Sequence, residues 1–140
     1  MAELIGRFSA QTFAILRIIA GLMFALHGTQ ILLGYPPMPK GMMMSGPLPP
    51  VMMVAGGLEL ICGFLIAIGF FTGIAAFIAS GEMAVAYFTA HAPHGFWPVQ
   101  NQGELAVLYC FLWLFVAAHG AGIWSVDNVL RRRTPVVTTA

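Results

Sequence analysis

The sequence predicts an all-α fold: a polytopic membrane protein, an antiparallel bundle of four transmembrane helices with a short C-terminal interfacial helix. Three observations predict it. Only 8 % of the 140 residues are charged, where an ordinary soluble domain carries about 25 %. Hydrophobic residues make up 59 % and the mean hydropathy is +0.87, more apolar surface than a soluble domain of this size can bury. The apolar residues fall into four runs of roughly the ~20 residues that cross a bilayer. The same composition excludes other classes. A net charge of +1, with no extended basic stripe, argues against nucleic-acid binding, which needs many phosphate-neutralising cations. Cys62 and Cys110 both lie inside apolar runs and form no disulfide framework or CxxC pair; they read as buried inert thiols rather than a redox pair.

The spans are expected at residues 12–33, 51–71, 73–90 and 105–123 of one membrane domain, with tails 1–11 and 124–140. The first run is too long for a signal-peptide core and no small-x-small cleavage site follows it, so it reads as a retained span. Residues 34–50 are rich in Gly, Pro and Met and poor in helix formers. The break at residues 69–73 is so short that spans two and three should form a tight antiparallel hairpin. Pro93, Gly95 and Pro98 interrupt residues 91–103, where Phe96 and Trp97 suit the headgroup zone. After residue 123, Ser125 is the expected N-cap of the interfacial helix. Asp127 favours its positive end, Arg131–Arg133 favour the other, and Pro135 stops it. Arg7 and Arg131–Arg133 flank one side of the four spans and Lys40 the other. The positive-inside rule then puts both termini in the cytoplasm.

Four charged residues lie in or at the spans: Arg17, Glu59, Glu82 and Glu104. Each costs about 2.5–3.5 kcal/mol at a helix centre on insertion scales. Helical spacing puts Arg17 on the stripe of Ala14, Gly21 and Phe24, with Gly28 one further turn on. Glu59 shares a face with Gly56, Cys62 and Gly63, and Glu82 with Ala75, Ala79, Ala86 and Thr89. Small residues line the faces that pack in lipid, so all three charges should point inward as a buried Arg17–Glu59–Glu82 cluster. Its formal charge of −1 leaves one carboxyl to carry a proton or face water. The cluster serves either as a polar clamp between helices or as a proton-accepting or ligand-binding group.

A second polar group collects at the outer face: His27 and Gln30 at i, i+3, then His91, His94, Asn101 and Glu104. Imidazoles and a carboxylate there either hydrogen-bond across helix ends or move protons. No HxxxH or HExxH spacing marks a metal site, and bis-His haem is disfavoured. Met38, Met42–Met44, Met52 and Met53 read as flexible packing material rather than a copper site. No residue is assigned a catalytic role.

Leu16-Arg17-x-x-x-Gly21 with His27-Gly28 and Leu32, and Gly56-Gly57-x-Glu59-x-x-x-Gly63, resemble the DoxX family of small four-helix membrane proteins. So do Ala75-Ala76 through Glu82 to Ala86, Asn101-x-Gly103-Glu104, and Gly120-x-Gly122-x-Trp124-Ser125-Val126-Asp127. The resemblance covers about residues 12–127. Ile31 and Gly73 stand where many members carry Lys and Arg, which weakens any anion-handling role. The resemblance implies a bacterial-type inner-membrane protein linked to oxidoreductase systems, such as the membrane subunit of a thiosulfate:quinone oxidoreductase. Other members associate with a sulfurtransferase and a superoxide dismutase.

The first functional expectation is therefore a membrane subunit of a quinone- or thiol-linked oxidoreductase, partnered by other redox subunits. With no flavin, nucleotide or Fe–S motif in the sequence, a quinone is the carrier this reading leaves open. The alternatives are a non-enzymatic scaffold or assembly subunit, and a small-solute or proton transporter. A homo-oligomer stays open, although no second small-residue stripe demands one.

Overall fold

A computed structural model describes residues 6–37 and 46–133 of the chain. The expectations for Lys40, Met38, Met42–Met44 and Pro135 lie outside the described residues, as do both chain ends. Among the described residues the fold is entirely helical. Three helices are long and apolar enough to cross a membrane and a fourth apolar helix is shorter.

Helix α1 spans Ser9–Leu33, about 37 Å at 1.5 Å per residue. It ends at Gly34, whose left-handed φ of 65° lets its N–H reach the Gln30 carbonyl. Helix α2, Pro50–Ile68, starts with proline at its first position, where the missing N–H costs nothing. It was expected to run to residue 71 but stops where Gly69 turns left-handed. Helix α3, Thr72–Ala86, continues as a π-helical turn, Tyr87–His91, and a 3-10 turn, Ala92–His94. After a single turn at Pro98–Asn101 comes helix α4, Glu104–His119. Span four was expected to reach residue 123. The helix ends four residues earlier because Gly120, Gly122 and Trp124 all take positive φ, which no α-helix accommodates. Helix α5, Val126–Arg133, closes the described chain. Ser125 caps it, its hydroxyl accepting the Asn128 N–H at 3.3 Å.

Packing follows the small residues. Gly21 of α1 lies against Gly63 and Ala67 of α2, and Gly28 against Gly56 and Leu60, so the two helices run antiparallel in backbone contact. A Cβ added at Gly28 would stand 2.5 Å from the Leu60 nitrogen. Helix α4 packs on α3 through Ala75, Ala76 and Ala79, and the Ser80 hydroxyl donates to the Cys110 carbonyl at 2.8 Å. Large rings separate α1 from α4: Phe24 meets Tyr109 at 5.3 Å and Trp113 at 5.4 Å between centroids. The outward faces carry exposed Ile19, Leu22, Phe64, Phe77 and Phe111, the surface a lipid environment favours.

One end of the bundle is tied by polar contacts to backbone. Arg17 is fully buried. Its Nη1 donates to the Ile66 and Ala67 carbonyls at 2.6 and 2.7 Å, and its Nη2 to those of Trp124 and Ile123 at 2.8 and 3.4 Å. The last carbonyls of a helix lack partners within it and form the negative end of its dipole, so α2 offers a ready cation site there. The left-handed residues 122 and 124 bend the chain so that carbonyls 123 and 124 face the same guanidinium. Asp127 completes the clasp. Its Oδ1 accepts the Phe71 N–H at 2.9 Å, and its Oδ2 accepts the Thr72 N–H at 3.0 Å and hydroxyl at 2.9 Å. Gly69 must be glycine here, since a Cβ would lie 2.3 Å from that of Ser125.

Candidate functional site

At the other end the four helices part around a crevice of about 1090 Å³. Helix α1 contributes His27 and Gln30, α2 contributes Glu59, α3 contributes Glu82, the π turn that follows it contributes Thr89, and α4 contributes Tyr109. His91, from the π turn, sits at the rim. Most of the remaining wall is apolar, including Met23, Leu26, Val54, Leu58 and Ile78.

The centre of the site follows from glycine packing. Gly28 brings α1 onto α2, and its neighbour His27 meets Glu59: Nδ1 and Oε2 are 2.8 Å apart. Nδ1–H is the donor when the carboxyl is ionised. It is the only contact of salt-bridge length among the described residues, an ion pair when the ring is protonated. Its partners differ in access, the His27 side chain being 57 % exposed and that of Glu59 only 3 %. Glu82 is half-buried, and its Oε2 is buried with no hydrogen-bond partner. A lone carboxylate oxygen in an apolar wall either carries a proton or accepts a donor from a ligand.

The expected Arg17–Glu59–Glu82 cluster is not formed. Arg17 binds carbonyls two helical turns beyond Glu59, so helix-face spacing put it on the inner stripe but at the wrong depth for a carboxylate. Glu59 and Glu82 do share the crevice. The expected outer group also divides. His27, Gln30 and His91 line the crevice, with Gln30 Nε2 donating to the Pro36 carbonyl at 3.1 Å and His91 Nδ1 lying 3.1 Å from the Asn101 carbonyl oxygen. His94, Asn101 and Glu104 do not line it. His94 Nδ1 lies 3.1 Å from the Ala90 carbonyl oxygen. Asn101 is buried and folds the connection: its Nδ2 donates to the Gly95 carbonyl at 2.6 Å and its Oδ1 accepts the Gly103 N–H at 2.8 Å. Glu104 is exposed in the first turn of α4, where its charge suits the helix dipole. No three His, Cys, Asp or Glu side chains gather as a metal set among the described residues.

Tyr109 escaped the sequence reading. The available signal was its spacing: with Leu105 and Ala106 it forms one inward face of α4. A smaller cavity of about 360 Å³ at the clasp end is lined by Phe13, His119, Asn128 and Arg131 among others.

The DoxX family pattern matches residues 12–92. The chain belongs to the DoxX family. The match takes in α1, α2 and α3, hence His27, Glu59, Glu82 and His91. A Haemophilus influenzae protein described as uncharacterized is 45 % identical over 119 residues, covering 82 % of this chain and 87 % of its own length. A second from the same organism, also described as uncharacterized, is 32 % identical over 82 residues, 59 % of this chain and 54 % of its own. No solved structure matches the chain. Ile31 lies on Gly56 and lines the crevice, an apolar side chain in that wall.

Proposed function

We propose that this DoxX protein is the integral membrane subunit of a quinone- or thiol-linked oxidoreductase system, and that its crevice binds a lipid-soluble ligand and handles the protons of that ligand's chemistry. The observation that carries this is the site's composition: an apolar crevice holding a His27–Glu59 pair and an unpartnered Glu82 oxygen. A quinone fits it. The wall of Met23, Leu26, Val54 and Leu58 suits an isoprenoid tail, and His27, Gln30, Glu82 and Tyr109 are the polar groups available to a head group. A bound quinone supplies two-electron, two-proton redox chemistry. The chain's own part is to hold the head group, exclude water with the apolar wall, and keep a proton at Glu82 or on the His27–Glu59 pair.

In this reading α1, α2, α3 with its continuation to His94, and α4 all cross a bacterial-type inner membrane, with α4 the shortest span and α5 at the interface. The clasp end and both termini face the cytoplasm, as the cations Arg7, Arg131 and Arg132 suggest. Partner subunits would bring any further electron carrier. The test is purification in mild detergent with extraction of bound lipid-soluble cofactors. An isoprenoid quinone should co-purify with the wild type and be depleted by Glu59→Gln and Glu82→Gln. Absence of quinone, together with unaltered activity of both variants in a deletion strain, would overturn the reading.

A second reading, a scaffold or assembly subunit, is favoured by the clasp, whose polar groups bond almost wholly to backbone. It predicts that deletion lowers the abundance of a partner complex and that Glu59→Gln and Glu82→Gln restore it fully. A transporter has less support, since the crevice ends against packed side chains; proton flux through liposomes that vanishes in Glu82→Gln would revive it.

A further inference from the structure

We infer that the crevice exchanges protons with only one end of the bundle, the end where α1 stops and α2 begins, and that His27 passes them between water there and Glu59. The inference rests on reading the crevice as a proton-handling site.

Toward the clasp end the crevice lining stops at Met23, Glu59, Ile78 and Tyr109. Below that level the core closes. Ala20, Cys62, Ala75, Ala76 and Trp113 are buried, with Trp113 stacked on Tyr109 at 5.5 Å and edge-on to Phe24 of the crevice floor at 5.4 Å. Gly21 and Gly63 bring α1 and α2 into backbone contact at this depth, leaving no groove between them. The next layer, Ala14, Arg17, Ile66, Thr72 and Val116, is also fully buried. Both terminal nitrogens of Arg17 are held there by carbonyls. A packed core of this thickness has no room for a water file.

The titratable groups around the pair are Glu82 from α3, Tyr109 from α4 and His91 from the π turn. Below them lies the Cys62 thiol of α2. His27 is the member that opens onto the crevice, with more than half its side chain exposed and its Nδ1 on Glu59. The transfer balances simply. A proton from water adds to His27 Nε2, and the Nδ1 proton crosses to Glu59 Oε2. The ring is left neutral and the carboxyl protonated, one proton taken from water and one delivered.

The test uses the full chain in proteoliposomes with Cys62→Ala and Cys110→Ala, and no quinone. Single reporters Thr89→Cys and Gln30→Cys sample the crevice, and Arg132→Cys marks the clasp end. A charged, membrane-impermeant methanethiosulfonate is supplied from either side. Each crevice reporter should react at least tenfold faster from one side, and that side should be opposite the one that labels Arg132→Cys. Reaction from both sides equally, or from the Arg132 side, overturns the one-ended crevice. The relay is read from the carboxyl infrared band after a pH jump. His27→Gln should slow its response at least tenfold, added imidazole should restore it, and Thr89→Cys labelling in the same variant should be unchanged. An unaltered response, or a slowed one that imidazole leaves slow, overturns the relay. Because neither readout involves a quinone, a protein that binds none yet behaves this way refutes the quinone reading alone.

Discussion

At the clasp end, Arg17 donates four hydrogen bonds and Asp127 accepts three, nearly all with backbone groups of α2, α3 and the turn before α5. At the crevice end, Glu59 has one partner, half-exposed His27, and Glu82 has an oxygen with none. Both ends set ionisable groups among apolar helices. One satisfies them, the Arg17 Nε apart, with fixed backbone, which rigidifies, while the other leaves a carboxylate oxygen unfilled in an open space. Unfilled capacity is where a ligand or a proton can act; filled capacity is where a fold is held. On the proposed reading, the difference assigns stability mainly to the first end and chemistry to the second.

The hardest way to break this division is Arg17→Met. It leaves the buried Ala67 carbonyl without a donor and the Ile66 carbonyl with the Gly69 N–H alone, at about 1–3 kcal/mol for the unsatisfied group. Thermal unfolding in detergent should register the loss, while the fraction that stays folded keeps its crevice reactivity. Gly28→Ala comes next. Its Cβ would strike the backbone of Gly56 and Leu60, an overpacking cost of about 1–3 kcal/mol. Since it pushes α1 away from Glu59, it should also weaken the His27–Glu59 contact, visible as a changed histidine side-chain resonance.

Asp127→Asn is a smaller step, about 1 kcal/mol, comparable to losing a helix cap. Burial works against the Asp127 charge, but the amide and hydroxyl of Thr72, the Phe71 amide and the Arg131 charge outweigh it and hold the carboxyl below its ordinary range. A folded value below the unfolded one means that its contribution is complete above the unfolded pKa of about 4 and is lost as pH falls through the folded value. The wild-type minus Asp127→Asn difference in melting temperature should therefore be flat from pH 7 to 5 and shrink below about 4.

How far the sequence alone revealed this division varies by residue. That Arg17 and Glu59 would be buried was readable, because each shares a helix face with small residues and burying a charge beside bulky lipid-facing side chains would be costlier. Arg17's partners were not readable, since its acceptors are backbone carbonyls and a search for oppositely charged side chains passes over them. The His27–Glu59 pair depends on the relative register of α1 and α2, which Gly28 and Gly56 set by close approach and no spacing within one helix reports. The early end of α4 had a signal in Gly120 and Gly122. The long apolar run to residue 123 outweighed it, because hydropathy sums side chains and ignores backbone turns.

The most direct test of the division is the melting temperature of Glu82→Gln beside that of Arg17→Met, in the same detergent and at neutral pH. The account predicts that Glu82→Gln melts at or above the wild type, because it removes a half-buried acid with an unpartnered oxygen, while Arg17→Met melts well below it. A fall in Glu82→Gln as large as that in Arg17→Met would contradict the account, since the crevice acid would then be holding the fold together.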